Sequence, residues 1–311
     1  MTIFLAKKIT ENEYILADKF TKFTAITDKE FINFLKSIKD VNTDMLKLMD
    51  EPFKKLSKRG YNLNNLVVIS LKSSPLISAQ IEITRKCNLN CSFCFQKRDD
   101  TTIPKNKFRK IIDSLEKLGV VDVCLHGGEI FVLDNVWNYL LKCKDRKFRV
   151  SIITNGTLLK ELEVKKLKKI GIGAVFVSLD GPQNIHERLR GKGTFRRTIR
   201  CINSLVRNNV TTYILATPPP EYFIPCKNYL SKLSSELGVA GLIISNRLNI
   251  NKRSSCYPNY PLCEKRCYYK IKKELWSIYI TAEGFLYRCP FLNEPPLTNL
   301  NSLEDWEIKS P

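Results

Sequence analysis

From residue 79 onward the chain alternates between two hydrophobic periods. Short apolar runs that fit strands lie near 79–84, 120–125, 148–153, 173–179, 211–216 and 240–245. Between them, near 105–118, 133–143, 158–169, 194–208 and 224–237, apolar residues recur at the three- and four-residue spacing of an amphipathic helix. A helix between successive strands returns each strand parallel to the last, so the pattern predicts the α/β class with a parallel sheet. Six such units predict a partial (β/α)6 TIM-like barrel with its chemistry on the loops after the strands.

The ends of the chain read differently. Ile3–Ala6, Tyr14–Ala17 and Phe23–Ile26 look like short strands, the first two joined by the turn Thr10-Glu11-Asn12-Glu13. Thr27-Asp28-Lys29-Glu30 then offers a helix start, opening an amphipathic stretch through Phe31, Phe34 and Leu35, and a second helix is expected near 43–58, stopping at Gly60. Residues 1–75 are therefore expected to form a small α+β module, either winged-helix-like or a plain cap on the barrel. Residues 76–248 make the barrel and 249–311 a cysteine-rich β-hairpin/helix domain, whose hairpin runs from Trp276 to Pro290 around a turn at Gly284.

At 311 residues the chain can bury a full core. It holds no apolar stretch near the roughly 18 to 20 residues that span a bilayer and no signal-peptide pattern at its start, so no membrane association and a cytoplasmic location are expected. Eleven cysteines are too sparse for a disulfide scaffold and too many for packing alone, which points to metal ligands in a reducing compartment. The formal charge of +20, with runs such as Lys165-Lys166-Leu167-Lys168-Lys169, fits either solvated helix faces or an acidic partner. Only two histidines are present, His126 and His186, which argues against a Ser-His-Asp triad or a His-rich metal site.

Cys87, Cys91 and Cys94 stand in a C-x3-C-x2-C spacing just after the strand 79–84. Three thiolates on one loop can hold three irons of a [4Fe-4S] cube and leave the fourth open, whereas structural zinc takes a closed set of four ligands. With Phe93 before the last cysteine, the loop resembles the signature of the radical S-adenosylmethionine (SAM) enzymes. His126-Gly127-Gly128-Glu129 is similar to that family's G-G-E-P turn, with Ile130 in place of proline. Ser151–Thr157 resembles the third strand with its T-N-G end, and Val175–Pro182 with His186–Gly191 the fourth strand and loop; together these matches span about 79–245. The resemblance implies a [4Fe-4S] cluster whose open iron chelates S-adenosyl-L-methionine, and cleavage of that molecule to a 5'-deoxyadenosyl radical. It also implies cofactor contacts from Phe93, Gly127, Gly128, Glu129, Asn155, Ser178 and Arg190, and an electron donor such as flavodoxin or ferredoxin. Glu129 otherwise has little structural reason to follow two glycines, while Asp180 reads as either a turn former or a polar group near the substrate.

Cys256, Cys263, Cys267 and Cys289 form a second group. With Gly284-x4-Cys289 they resemble the family's short SPASM/Twitch-like auxiliary domains, which implies a second [4Fe-4S] cluster; zinc held by the same thiolates is the alternative. The longer, two-cluster version needs further cysteines, which the chain up to Pro311 does not supply. Cys124, Cys143, Cys201 and Cys226 remain and read as small packed residues, with Cys226 also a candidate hydrogen donor to a substrate radical. The leading expectation is a peptide maturase that cross-links or epimerises a precursor peptide, its acidic leader adding a strand to the N-terminal module. The alternatives are radical chemistry on a small molecule, and a basic nucleic-acid-binding protein with structural metal sites. Against the last, basic and aromatic residues are not interleaved in a recognisable binding motif.

Overall fold

The computed structural model describes residues 2–21, 24–37, 61, 66–72, 76–94, 96, 99–245, 270–272, 275–287 and 298–299. The expected second helix near 43–58 lies outside them. The N-terminal module is a four-stranded sheet in the order β3-β2-β1-β4, made of β1 (Thr2–Lys8), β2 (Glu13–Asp18), β3 (Thr24–Asp28) and β4 (Leu66–Leu71). Only β4 was not expected from the sequence, and it pairs parallel to β1. Helix α1 (Lys29–Ser37) starts where expected, because the Asp28 Oδ1 accepts a hydrogen bond from the Phe31 amide at 2.7 Å. It buries Ile32 and Leu35 against Phe4, Ala6 and Leu16.

Alternation along β1 turns Leu5 and Lys7 to the opposite face. There Leu5, Ile15 and Ala17 pack on Ile77 and Val121, next to the amino ends of the first two barrel strands. The Lys7 ammonium is buried and donates to the carbonyls of Gly119 at 2.6 Å and Lys72 at 3.1 Å. The module thus sits under the floor of the barrel, away from the cysteine loop.

The barrel unit follows the expected alternation: β5 (Leu76–Thr84), α2 (Lys105–Lys117), β6 (Asp122–Gly127), α3 (Val136–Cys143), β7 (Arg149–Thr154), α4 (Glu161–Ile170) and β8 (Ala174–Ser178), then α5 (Gln183–Arg190), α6 (Thr194–Arg207), β9 (Thr212–Ala216), α7 (Phe223–Leu237) and β10 (Gly241–Ile244). These six strands pair parallel in chain order. The added element is α5, which occupies what reads in the sequence as a loop. Ala79, Ile81, Val123, Leu125, Val150, Ile152, Val175, Val177 and Ile214 face the helices and join Phe108, Ile112, Leu140, Leu167 and Leu205 in one core. The alternate positions, Gln80, Glu82, Cys124, His126, Ser151, Ser178 and Tyr213 among them, turn to the inner face.

The floor is plugged by Arg149, which is 2% exposed. Its guanidinium holds Asp122 at 2.7 and 2.5 Å and donates to Thr21 O and Thr24 Oγ1 of the N-terminal module. Such a buried cation is tolerated because each donor finds an acceptor.

The C-terminal segment contributes β11 (Lys270–Lys272), β12 (Leu275–Ile280), β13 (Phe285–Tyr287) and β14 (Thr298–Asn299). The expected hairpin is β12–β13, with Gly284 at φ 92° and its amide bonded to Thr281 O at 2.8 Å. It does not stand apart: β12 pairs parallel beside β5, so this segment extends the barrel's own sheet. Among the described residues no helix is long and apolar enough to cross a membrane.

Candidate functional site

The motif residues converge at the carboxyl ends of β5 to β8. The loop after β5 carries Cys87, Cys91 and Cys94 and is turned by a Cys94 amide bond to Cys91 O at 3.2 Å. Cys87 and Cys91 are half-buried and Cys94 exposed. Burial pushes the Cys87 thiol up, and the neighbouring Glu129, Cys91 and Cys94 charges add to this. An open cleft of about 440 Å³ beside Cys87 is lined by Arg85, Lys86, Asp99, Asp100 and Val132.

The two glycines after β6 are explained by close approach. A Cβ on Gly127 would run into Thr84 O, and one on Gly128 into Lys86 O and, at 2.7 Å, Arg85 O. The contact allows the Gly128 amide to donate to Thr84 O and the Glu129 amide to Lys86 O, both at 2.8 Å. The backbone immediately before Cys87 is therefore clamped to the end of β6.

Glu129, only 1% exposed, corrects the expectation that it has little structural work. Its carboxylate accepts from the Asn155 amide at 2.7 Å, from Thr154 Oγ1 at 2.9 Å and from the Phe131 amide at 3.2 Å, tying the end of β6 to the end of β7. Burial raises its pKa to about 7, against the lowering effect of those hydrogen bonds. Asn155 in turn donates to Asn88 Oδ1 at 3.0 Å, and Asn88 donates to Thr157 Oγ1 at 2.9 Å, so the cysteine loop is also pinned to the end of β7.

On the far side Ser178 ends β8, nearly buried, and Asp180 follows it, fully buried. Asp180 has partners that neither sequence reading named. It pairs with Arg190 on α5, Nε to Oδ2 at 2.5 Å, and accepts the Thr217 amide at 2.8 Å. Burial opposes both charges, yet the pair keeps Asp180 below and Arg190 above its ordinary range. The Arg190 guanidinium lies over the Phe93 ring, 5.2 Å from its centroid, and feels the Cys91 and Cys94 charges. The structure thus brings Phe93, Gly127, Gly128, Glu129, Asn155 and Arg190 around one loop.

Cys226 is on α7, wholly buried, with its Sγ packed against Gly181. Cys143 and Cys201 are buried in the core, and burial pushes both thiols up to about 12. Cys124 is half-buried on the inner face. His126 and His186 are not in loops but on β6 and α5. Cys256, Cys263, Cys267 and Cys289 lie outside the described residues.

Sequence reasoning missed Arg85, two residues before Cys87. It pairs with Glu283 in the β12–β13 turn, with Asp99 at 3.3 Å and with Glu82 at 3.4 Å, and Lys107 donates to Glu283 O. No local signal marks it, because its partners are up to 198 residues away.

Among the described residues no three His, Cys, Asp or Glu side chains are grouped to hold a single metal ion. A cube makes a different demand, since each thiolate meets its own iron at a separate corner. Three thiols on one loop, with no carboxylate or imidazole grouped with them to complete the set for an ion, fit a cube better than an ion.

Residues 81–223 match the family model described as Radical SAM superfamily. The chain is 30% identical over 152 residues to the sporulation killing factor maturation protein SkfB of Bacillus subtilis, covering 48% of this chain and 37% of the relative. It is 32% identical over 180 residues to the antilisterial bacteriocin subtilosin biosynthesis protein AlbA of the same organism, covering 54% and 39%. The matched region thus spans under two fifths of these relatives' length. The fold is similar to that of Streptococcus suis SuiB bound to the precursor peptide SuiA, with a TM-score of 0.66 and 17% identity over 99% of this chain and 89% of that one. It is also similar to anSMEcpe with bound AdoMet, with a TM-score of 0.56 and 22% identity over 73% and 78%.

Proposed function

Residues 81–223 match the radical SAM superfamily model, and from that premise we propose that the protein is a maturase that modifies a ribosomally made peptide. Cys87, Cys91 and Cys94 would hold a [4Fe-4S] cluster, which when bound supplies the electron that splits S-adenosyl-L-methionine into methionine and a 5'-deoxyadenosyl radical. The observation that carries the reading is the clamped loop: Gly127 and Gly128 fix the backbone before Cys87 while Glu129, Asn155, Asp180 and Arg190 converge around it.

The placement of each residue supports a part for it. The buried Glu129 carboxylate offers an acceptor to the amino group of S-adenosyl-L-methionine, and that cation would draw it into its charged form. Arg190, oriented by Asp180 and stacked on Phe93, presents a fixed cation to the methionine carboxylate, and Ser178 a hydroxyl beside it. The peptide substrate is supported by SkfB, AlbA and SuiB, a maturation protein, a bacteriocin biosynthesis protein and a protein bound to its precursor peptide. Cys256, Cys263, Cys267 and Cys289 are assigned to an auxiliary cluster, and flavodoxin or ferredoxin to electron supply.

The test is anaerobic reconstitution with iron and sulfide, reduction, and quantification of methionine and 5'-deoxyadenosine. Cleavage by the wild-type protein is expected, and its loss when Cys87, Cys91 and Cys94 are all changed to Ala. Tight zinc in place of iron, or no cleavage by wild type, overturns the radical reading. For the substrate, a short peptide encoded beside this chain should lose two hydrogens or take up deuterium from heavy water; an unmodified peptide despite active cleavage overturns the peptide reading alone.

A further inference from the structure

Two buried polar groups on the inner face of the sheet are used by nothing described so far. His126 on β6 is 6% exposed and Ser151 on β7 is 0% exposed. Among the described residues, neither His126 Nε2 nor Ser151 Oγ has a hydrogen-bond partner. The register pairs Cys124 with Ser151, and His126 lies two residues further along β6, so the two are diagonal neighbours on one face. Val123, Leu125, Val150 and Ile152 fill the helix side, so His126 and Ser151 point into the barrel. The Tyr279 ring packs on His126 with centroids 5.3 Å apart, and Glu82 stands opposite His126 in register. Glu82 is already engaged by the Ala282 amide at 3.0 Å and by Arg85.

A buried polar atom without a partner costs stability, so two side by side in the interior mark a place kept for a ligand. Resting on the peptide reading above, we propose that His126 and Ser151 form the subsite for an uncharged hydrogen-bonding group of the substrate, a carboxamide or a hydroxyl. Its place is the barrel interior, below the level of Glu129 and Asn155. An anion is repelled by Glu82, whose Arg85 partner is already engaged with three carboxylates, and gains nothing from the imidazole, which burial keeps neutral. A cation finds the Glu82 carboxylate already occupied.

The chain has only two histidines, so the imidazole 15N resonances of the full, reconstituted protein are few, and those lost in His126→Phe belong to His126. The probes are propionamide, propionate and propylammonium, which share a chain and differ in head group. A saturable shift of the His126 resonance is expected with propionamide only. Ser151→Ala is expected to abolish the saturation, and Ser151→Ala and His126→Phe are each expected to raise Tm by about 2 °C, since removing an orphan polar group relieves the free protein. A shift equal with propionate or propylammonium, no shift at all, or a Tm lowered in both variants overturns the proposal. A shift produced by S-adenosyl-L-methionine alone gives the site to the cofactor and also overturns it. Cleavage of S-adenosyl-L-methionine by the same wild-type sample is the separate check on the radical reading.

Discussion

At the scale of single residues, the Asp180–Arg190 pair and Glu129 decide how the loop ends present charge. Changing Asp180 to Asn leaves a buried guanidinium uncompensated, which should cost about 3 kcal/mol and weaken S-adenosyl-L-methionine binding; urea denaturation and equilibrium dialysis on one preparation check both. Glu129 gives a pH signature. Its folded pKa of about 7 lies above the ordinary 4.5, so its contribution to stability is complete below pH 4.5 and is lost as pH rises through about 7. The Tm difference between wild type and Glu129→Gln should therefore shift against wild type between pH 5 and pH 8. Saturating S-adenosyl-L-methionine should flatten that trend, because its ammonium stabilises the carboxylate. A difference that does not move with pH would show that the carboxyl titrates normally.

At the scale of elements, the Gly127-Gly128 turn is the device that holds the cysteine loop. Gly128→Ala puts a methyl group against the backbone carbonyls of Lys86 and Arg85, which cannot swing away as a side-chain tip would. The loop must move, so iron content after reconstitution should fall by more than half while circular dichroism stays unchanged. The β12–β13 turn acts from the other side, through Glu283 on Arg85. Glu283→Gln should raise hydrogen exchange of amides 85–94 several-fold, read by mass spectrometry on the unreconstituted protein. Protection identical to wild type would leave the glycine clamp as the sole restraint from these two sides.

At the scale of the whole molecule, the N-terminal module and the barrel floor share a core. If residues 1–75 form a peptide-docking module, their removal is expected to leave cleavage of S-adenosyl-L-methionine intact, since the barrel motifs all begin after residue 79. The structure argues otherwise, because deletion uncovers Ile77 and Val121 and strips Arg149 of Thr21 and Thr24. The truncated chain is expected to aggregate and to lose both activities together. Peptide docking on this module is better tested by Ile26→Asp, since Ile26 is 57% exposed on the edge strand β3. If an acidic leader adds a strand there, the substitution should weaken peptide binding at least tenfold, with cleavage preserved. Equal affinity would move the docking site off β3.

The sequence by itself determined what depends on neighbours along the chain. Period-two and period-3.6 patterning placed the six parallel strands and their helices, Asp28 capped α1, Gly284 turned the hairpin, and the cysteine spacing with His126-Gly127-Gly128-Glu129 located the candidate site. Only the tertiary structure decided what depends on residues far apart in sequence. The pairing of β12 with β5, the Thr154 and Asn155 hydrogen bonds that make Glu129 a strut, the Asp180–Arg190 pair, the Arg85 junction and the Arg149 plug each join segments whose local patterns contain no trace of the partner. Periodicity reports which face of an element is buried, but which group lies across from it is set by how the strands close, and that geometry exists only once the chain has folded.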